Sequence, residues 1–408
     1  MNNGVSMNDL RKKRILRVLA AVIVATFVLF ALADLRLAYW PTRDLVAGRI
    51  SFAEYTQMVA EQYTDKTVGK YFLINLNGLY SRLTGRSICN QVMKLENGML
   101  DNLNPERADV SAPAAGIAEL AEFTEAQGAQ FLYVQLPTKL DLNGDILQPG
   151  EENHSYENAD ELLCLLTEAG VDTYDLRQDM AQTPEQIEQY FFRTDHHWNF
   201  TGAFTGYQKL TEEIMRRFPD GGIDLSYADI NNWEAHTLNN WLLGSLGERT
   251  GRFFGGTDNV TYYTPLFDTA ICTTIEPWPG KTIVREGNFE DSNMYYEYID
   301  ERPDWFDENP YCMYTGGAYP YVQHRSESAP SDIKICLIKD SFAMPVQAFL
   351  STEFKYVDVL DPRYMVDFTV AEHIRDTQPD IVIVMLAPNS VVGYDEYNDM
   401  GVSALMQK

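Results

Sequence analysis

Two short polar motifs in the sequence combine the residue types that activate a serine hydroxyl. Asp195-His196-His197-Trp198 lies between two predicted helices, and Lys339-Asp340-Ser341-Phe342 follows a predicted buried strand. If the first motif is extended, Asp195 and His197 share one face while His196 faces elsewhere. A carboxylate at one imidazole nitrogen leaves the other nitrogen free to take a proton from a serine. We therefore predict Ser341 as nucleophile, His197 as general base and Asp195 as the partner that orients the base.

Each motif also has a simpler interpretation. Serine commonly caps helix N-termini, and two adjacent histidines can be a structural pair or ligands of a metal that takes a third ligand such as Asp340. The five cysteines are scattered, without the Cys-x-x-Cys spacing of zinc sites. The predicted chemistry requires neither a metal nor a bound cofactor, and we expect none.

The elements that would position these motifs form an alternating pattern from about residue 112. Five apolar runs are predicted strands, at residues 130–136, 171–176, 333–338, 356–360 and 381–386. Helical patterns lie between them, at residues 116–126, 155–169, 201–217, 342–350 and 365–375. This alternation predicts an α/β fold with a doubly wound parallel sheet, in which reactive groups gather at the carboxyl ends of the strands.

Two further segments complete the predicted domain organisation. Residues 35–110 are expected to be a mostly helical lead-in, with Ser51 and Glu54 spaced as a capping box, before a catalytic domain at residues 111–408. Residues from about 225 to 328 are rich in Tyr, Thr, Gly, Trp and Asn and have no helical periodicity. We predict a β- and loop-rich insertion there that shapes the substrate cleft.

The amino terminus predicts export. Residues 1–14 are a basic tail, and residues 15–34 form an apolar segment nearly long enough to span a bilayer. Because positive charge stays on the cytoplasmic side, the rest of the chain is expected outside the cytoplasm. The segment is either a membrane anchor or, since Ala31-Leu32-Ala33 fits a cleavage site, a removed signal that leaves a secreted protein. The net charge of −27 argues against a nucleic-acid partner.

The two motifs and the intervening Gly316-Gly317-Ala318-Tyr319-Pro320 together resemble the DHHW family, and the chain is similar to the SGNH-like alginate O-acetylation proteins of bacterial envelopes. In that group the Asp-x-His element precedes the Asp-Ser element, a circularly permuted order relative to ordinary SGNH hydrolases, and this sequence has the same order. The resemblance implies an SGNH-hydrolase-like fold held at the outer face of the membrane, with Ser341, His197 and Asp195 as the triad. It also implies a polysaccharide substrate and a membrane-bound O-acyltransferase partner that supplies the acyl group.

Six other residues are candidates for the substrate cleft or the oxyanion hole: Gly316, Gly317, Arg193, Lys139, Trp198 and Asn389. The two glycines either supply backbone N–H groups or form an ordinary turn, because glycine permits close approach and unusual dihedrals. Lys139 and Asn389 follow predicted strands. Lys139 and Arg193 either line the cleft or pair with acidic residues at the surface, and Asn389 is placed similarly. Trp198 suits stacking on a sugar ring, although aromatic residues also fill cores.

The leading hypothesis from the sequence is an extracytoplasmic O-acyltransferase, in particular an O-acetyltransferase, that acts on an exported or cell-wall polysaccharide through an acyl-Ser341 intermediate. Two alternatives stay open. A carbohydrate esterase would use the same three residues with water as the acceptor, whereas a non-catalytic polysaccharide-binding or assembly factor would not need Ser341.

Overall fold

The chain comprises two compact units, Met1–Leu76 and Asn77–Lys408. The structure is a computed structural model that describes residues 7–299, 305–306 and 309–403. The first unit is helical, with α1 (Met7–Val46), α2 (Phe52–Lys66) and the beginning of α3 (Lys70–Leu83). Within α1, Lys13–Val46 is long and apolar enough to cross a membrane, which fits an anchor or a signal sequence. The predicted capping box of Ser51 and Glu54 is present at α2.

The prediction of a mostly helical segment at residues 35–110 is wrong for its last part. Three short antiparallel strands form a small sheet there, β1 (Ile88–Cys89), β2 (Val92–Lys94) and β3 (Leu100–Asn102). Asn90 and Gln91 adopt positive φ angles of 48° and 59°, which is the conformation of a tight hairpin turn. This sheet belongs to the second unit, so that unit begins well before the predicted boundary at residue 111.

The second unit is built on an eight-stranded mixed sheet. Its strands are β4 (Gln130–Gln135), β5 (Thr173–Asp175), β8 (Ile271–Trp278), β9 (Lys281–Gly287), β10 (Tyr321–Ser326), β11 (Ser331–Lys339), β12 (Phe354–Leu360) and β13 (Ile381–Leu386). The spatial order is β5-β4-β13-β11-β12-β10-β8-β9. All five predicted strands are present as the first five of this order, and they pair in parallel.

The insertion extends this sheet rather than standing apart from it. Its strands β8, β9 and β10 add to the edge strand β12 in antiparallel fashion, so the sheet is mixed and not wholly parallel as predicted. Two further insertion strands, β6 (Trp233–Leu242) and β7 (Asp258–Pro265), form a separate antiparallel hairpin. Short insertion segments rich in β-branched and aromatic residues pair with the nearest open edge, and local sequence does not specify which edge that is.

Helices cover both faces of the sheet. The longer ones are α4 (Ser111–Ala126), α5 (Ser155–Glu168), α8 (Phe200–Arg217), α12 (Met344–Glu353) and α13 (Val370–Thr377). The short ones are α6 (Arg177–Met180), α7 (Pro184–Tyr190), α9 (Ser245–Thr250), α10 (Arg252–Gly255), α11 (Phe289–Asn293) and α14 (Pro388–Gly393). Alternate residues of β13 enter different cores, Ile383 with α8 and α12 and Val384 with α4 and α13. Burial on both sides explains why this strand is an uninterrupted apolar run.

Candidate active site

Ser341 lies at the carboxyl end of the central strand β11, as the sequence predicts for a reactive group in such a sheet. It begins a short 3₁₀ helix, Ser341–Ala343, that leads into α12, and Asp340 is the N-cap residue. One carboxylate oxygen of Asp340 accepts the Phe342 N–H at 2.9 Å, and the other accepts the Ala387 N–H at 2.8 Å. Asp340 therefore fastens the serine turn to the end of the neighbouring strand β13.

The structure brings Asp195, His197 and Ser341 into a continuous hydrogen-bonded chain. His197 Nδ1 lies 2.6 Å from Asp195 Oδ1, and His197 Nε2 lies 2.7 Å from Ser341 Oγ. The aspartate and the histidine are buried, whereas Ser341 is partly exposed. A neutral imidazole protonated on Nδ1 donates to the carboxylate and can accept the serine proton at Nε2.

The Asp195 carboxylate is held ionised by its surroundings. Burial raises the pKa of this group, but the imidazoles of His196 and His197 and the hydrogen bonds from His197 and Ser245 hold it well below the ordinary value. Oδ1 accepts the His197 N–H at 2.9 Å, and Oδ2 accepts the Ser245 N–H at 2.8 Å. Ser245 is the first residue of α9 in the insertion, and nothing in the local sequence pattern identifies it as part of the site.

Two aromatic side chains fix the imidazole and the serine turn. Tyr311 stacks on the His197 ring at a centroid distance of 4.0 Å, and its hydroxyl donates to the Phe342 carbonyl at 2.9 Å. The Trp198 indole N–H donates to the same carbonyl at 2.8 Å. Trp198 is fully buried and packs within the core, so of its two interpretations the core one holds and the indole is not placed to stack on a sugar.

His196 does not face away from the cleft. The segment is a tight loop closed by a bridge between Phe191 and Trp198, so the alternation expected of an extended segment does not apply. The His196 and His197 ring centroids are 3.7 Å apart, and His196 lines the pocket that contains Ser341. Its Nδ1 lies 2.7 Å from the Ser245 hydroxyl. Burial, followed by the neighbouring His197, lowers the pKa of His196 to about 3, so the ring is neutral.

A pocket of about 150 Å³ opens onto Ser341. It is lined by Asp101, Asn102, Thr138, His196, Ser341, Phe342, Arg363, Ala387, Asn389, Ser390 and Tyr394. Asn389 thus lies in the cleft, as its position after a strand suggested. Its Oδ1 is 3.1 Å from the Ser155 hydroxyl, which leaves the amide nitrogen as the donor toward a ligand. Asp101 and Asn102 come from β3, within the segment that was expected to be only a lead-in.

Lys139 and Arg193 serve the scaffold and do not line this pocket. The Lys139 ammonium is completely buried and donates to the backbone carbonyls of Leu100 at 2.6 Å and Arg193 at 3.2 Å. Arg193 directs its guanidinium toward the Asn97 carbonyl at 3.4 Å. Neither interpretation holds for these residues: they do not line the cleft, because β3 and the loop before Asp195 cover the strand end that carries Lys139, and the contacts of both are with backbone carbonyls rather than with surface acids.

Gly316 and Gly317 are also not oxyanion donors at this serine. The Gly316 N–H donates to the Cys312 carbonyl at 3.0 Å. Both glycines lie outside the lining of the Ser341 pocket. Their φ angles are 78° and 142°, and a Cβ on Gly316 would come within 2.8 Å of the Tyr295 ring. Glycine is required here for a turn packed against a tyrosine, which was the alternative interpretation.

The neighbouring Asp195, His196 and His197 offer ligand atoms within 4.8 Å of one another, the spacing of a possible metal site. Both ring nitrogens of His197 and both oxygens of Asp195 are already engaged in hydrogen bonds within the site. A cation there would have to displace the bonds that join His197 to Asp195 and to Ser341. The arrangement therefore suits proton transfer better than metal binding.

A helix-covered sheet with a serine after a central strand, and an Asp-x-His element ahead of it in the chain, defines an SGNH hydrolase-like α/β protein. Residues 96–235 match the family described as SGNH hydrolase-like domain, acetyltransferase AlgX. The similarity to the SGNH-like alginate O-acetylation proteins is thereby confirmed. No curated protein sequence matches the chain significantly.

Solved structures share the fold over most of the chain. Bacillus cereus PatB1 is 22% identical over 76% of this chain and 99% of its own, with a TM-score of 0.61. The same protein with a sulfonyl adduct is 20% identical over 76% and 98%, with a TM-score of 0.62. A DHHW family protein from Eubacterium siraeum is 18% identical over 78% and 96%, with a TM-score of 0.54. These likenesses concern the fold, and one of the structures that share it is described as a DHHW family protein.

Proposed function

We propose that the protein is an extracytoplasmic O-acetyltransferase that acylates an exported or cell-wall polysaccharide through a Ser341-His197-Asp195 triad. The observation that carries the proposal is the hydrogen-bonded chain in which His197 Nε2 is 2.7 Å from Ser341 Oγ and His197 Nδ1 is 2.6 Å from Asp195. The family description of residues 96–235, which names an acetyltransferase, supports the transfer of an acetyl group.

The geometry accommodates a two-step transfer. As Ser341 Oγ attacks the acyl carbonyl of a donor, His197 takes the serine proton and then gives it to the departing group, leaving an acyl-serine ester. A sugar hydroxyl then gives its proton to His197 and attacks the same carbonyl. Oγ leaves, recovers the proton from His197, and the sugar carries the new ester.

Charge that develops on the carbonyl oxygen needs donors close to Ser341. The Ser341 N–H lies in the first turn of the 3₁₀ helix, where backbone N–H groups have no partner within the helix. The amide nitrogen of Asn389 is the second donor that the pocket offers. We assign these two groups to the oxyanion hole in place of Gly316 and Gly317.

The acyl donor is proposed to arrive through a membrane-bound O-acyltransferase partner. The apolar helix segment Lys13–Val46 would hold the protein at the outer face of the membrane, where that partner would deliver its acyl group. Both the partner and the location belong to the proposal.

The proposal is tested by acylating the protein in solution. We expect p-nitrophenyl acetate to give a burst of p-nitrophenol and an acetylated Ser341 peptide, and a sulfonyl fluoride to modify the same residue, since PatB1 has been observed with a sulfonyl adduct. Ser341→Ala should abolish both modifications, whereas Ser226→Ala, at an exposed serine, should leave them unchanged. A burst that survives Ser341→Ala would refute the triad, whereas the absence of a burst in the unaltered protein would favour a non-catalytic assembly factor.

An esterase is the second candidate, because the Ser341 side chain remains partly exposed and water can reach an acyl-enzyme there. The two activities differ in how the acetyl-enzyme partitions. A transferase yields acetylated oligosaccharide at the expense of free acetate as the acceptor concentration rises. An esterase releases acetate at the same yield with or without the sugar.

A further inference from the structure

A carboxylate from β3 forms part of the wall of the Ser341 pocket. Asp101 is 4% exposed, and its Oδ2 accepts a hydrogen bond from the Asn153 amide at 3.1 Å. The preceding residue, Leu100, is held through its carbonyl by the buried Lys139 ammonium at 2.6 Å. Burial raises the pKa of Asp101 only to about 6, so the group is charged at neutral pH. Asp101 is therefore a fixed acceptor of hydrogen bonds in the pocket.

The rest of the lining is suited to hydroxyl groups. Asn102, Thr138, Asn389 and Ser390 add neutral hydrogen-bonding side chains, and Tyr394 adds a ring that is 44% exposed. A volume of about 150 Å³ is well below the roughly 300–1,000 Å³ that encloses a complete drug-sized ligand. Such a lining fits one sugar unit of a longer chain, whereas an acyl chain would leave most of these polar groups without partners.

The charges around the pocket disfavour an anionic sugar. Arg363 is the cation in the lining, and it forms a bidentate ion pair with Asp361. Asp361 also forms an ion pair with Lys339 at 3.1 Å. The carboxylate of Asp340 contributes a second negative charge beside this group. Two cations thus face two carboxylates, and Asp101 adds a further negative charge to the wall.

The unit as a whole has the same bias. Residues 77–408 contain 22 Lys and Arg against 53 Asp and Glu. A surface with this excess of negative charge repels a polyanion before it reaches the pocket. An uncharged glycan meets no such barrier.

We infer that this pocket is the acceptor subsite, in which Asp101 binds the hydroxyls of one sugar unit of an uncharged glycan so that a neighbouring hydroxyl meets the acyl-serine. The inference rests on the proposed function and adds to it a residue and a substrate class. Asp101 takes no part in forming the acyl-enzyme, because the donor reacts with Ser341 before the acceptor sugar binds.

The test separates acylation from transfer. The full-length protein in detergent is given p-nitrophenyl acetate as donor and N-acetylchitopentaose as acceptor, and the burst and the acetylated oligosaccharide are measured separately. Asp101→Asn keeps the shape of the side chain and removes its charge. We expect the KM for the acceptor to rise about tenfold or more, because its hydrogen bonds no longer go to a charged group, while the burst changes by a much smaller factor. Asp332→Asn, at an exposed carboxylate, is the matched control and should change neither quantity.

A second measurement uses the unaltered protein and does not depend on how the variant folds. Mannuronate pentamers should be acetylated at least tenfold less efficiently than N-acetylchitopentaose at low salt, and added salt should narrow the difference by screening repulsion. An unchanged acceptor KM in Asp101→Asn, with the burst intact, would overturn the role of Asp101. Equal use of the mannuronate acceptor at low salt would overturn the substrate class. Absence of a burst in the unaltered protein, or its survival in Ser341→Ala, would instead contradict the proposed function.

Discussion

Replacing Asp195 with Asn tests the proposed mechanism at the group that touches neither donor nor acceptor. Oδ1 accepts two N–H groups of His197, and Oδ2 accepts the Ser245 N–H. Asparagine retains only one of these two oxygens, so its NH₂ group must face an N–H donor, either that of His197 or that of Ser245. If the amide faces His197, it stabilises the tautomer with the proton on Nε2, which cannot accept from Ser341. If it faces Ser245, a buried N–H loses its partner at a cost of about 1–3 kcal/mol.

The lost charge sets the size of the kinetic effect. A carboxylate about 4 Å from the centre of an imidazolium stabilises it by about 4 kcal/mol at an effective dielectric constant of 20. Since each 1.36 kcal/mol is a factor of ten in rate, the acylation rate should fall by about 10³-fold. A change of tautomer would bring the loss nearer to 10⁴-fold. We expect Asp195→Asn to lie between these two values.

The assay is the pre-steady-state burst with p-nitrophenyl acetate, and thermal unfolding is followed in parallel. Asp358→Asn is a matched control, because Asp358 also pairs with a buried histidine, His373, at 3.0 Å but outside the pocket of Ser341. Both variants should unfold at a lower temperature than the unaltered protein, but only Asp195→Asn should have a lower burst rate. A burst rate within tenfold of the unaltered protein in Asp195→Asn would refute the assignment of His197 as a base oriented by this carboxylate.

Two further predictions concern residues that the mechanism does not use directly. Burial raises the pKa of Glu353 to about 8, so the folded state binds this proton more tightly than the unfolded chain, and stability should fall as the pH rises from about 4.5 to 8. The free energy of unfolding, measured by denaturant titration at pH 5 and pH 9, should fall by on the order of 2–5 kcal/mol between these pH values in the unaltered protein, and Glu353→Gln should remove this fall. An equal fall in both proteins would contradict the raised pKa of Glu353. A Cβ on Gly244 would lie 2.3 Å from that of Asp195, so Gly244→Ala should lower the burst rate at least tenfold by moving the carboxylate. Gly85→Ala is the control for a general loss of stability: a Cβ there meets open space but the backbone φ is +69°, so this variant should be destabilised and keep its burst rate. An unchanged burst in Gly244→Ala would show that the loop absorbs the added methyl group.

The structure also shows why the sequence patterns did not identify two residues of the site. Asp101 lies in a three-residue strand of a small sheet, and Ser245 lies in an insertion without helical periodicity. Both reach the site by contacts with residues far away along the chain, and hydrophobic periodicity reports only neighbours on the same element. Lys139 was the converse case, a residue that the sequence made a candidate for the cleft and that does not line it. A lysine at a strand end is normally exposed, but here two backbone carbonyls hold its ammonium group in the interior.

Local sequence was sufficient where a segment is buried on both sides or carries a chemically distinctive motif. The sequence predicts strand β13 because residues 381–386 are all apolar, and the Asp-x-His and Asp-Ser motifs restrict the proposed nucleophile and base to a few residues. Tertiary structure alone decided that the insertion extends the sheet, that Trp198 and Lys139 are structural, and that Asp101 faces the pocket. The physical reason is that periodicity is set by each element's own burial, whereas side-chain partners depend on which surfaces pack together, and those surfaces come from segments that are distant along the chain.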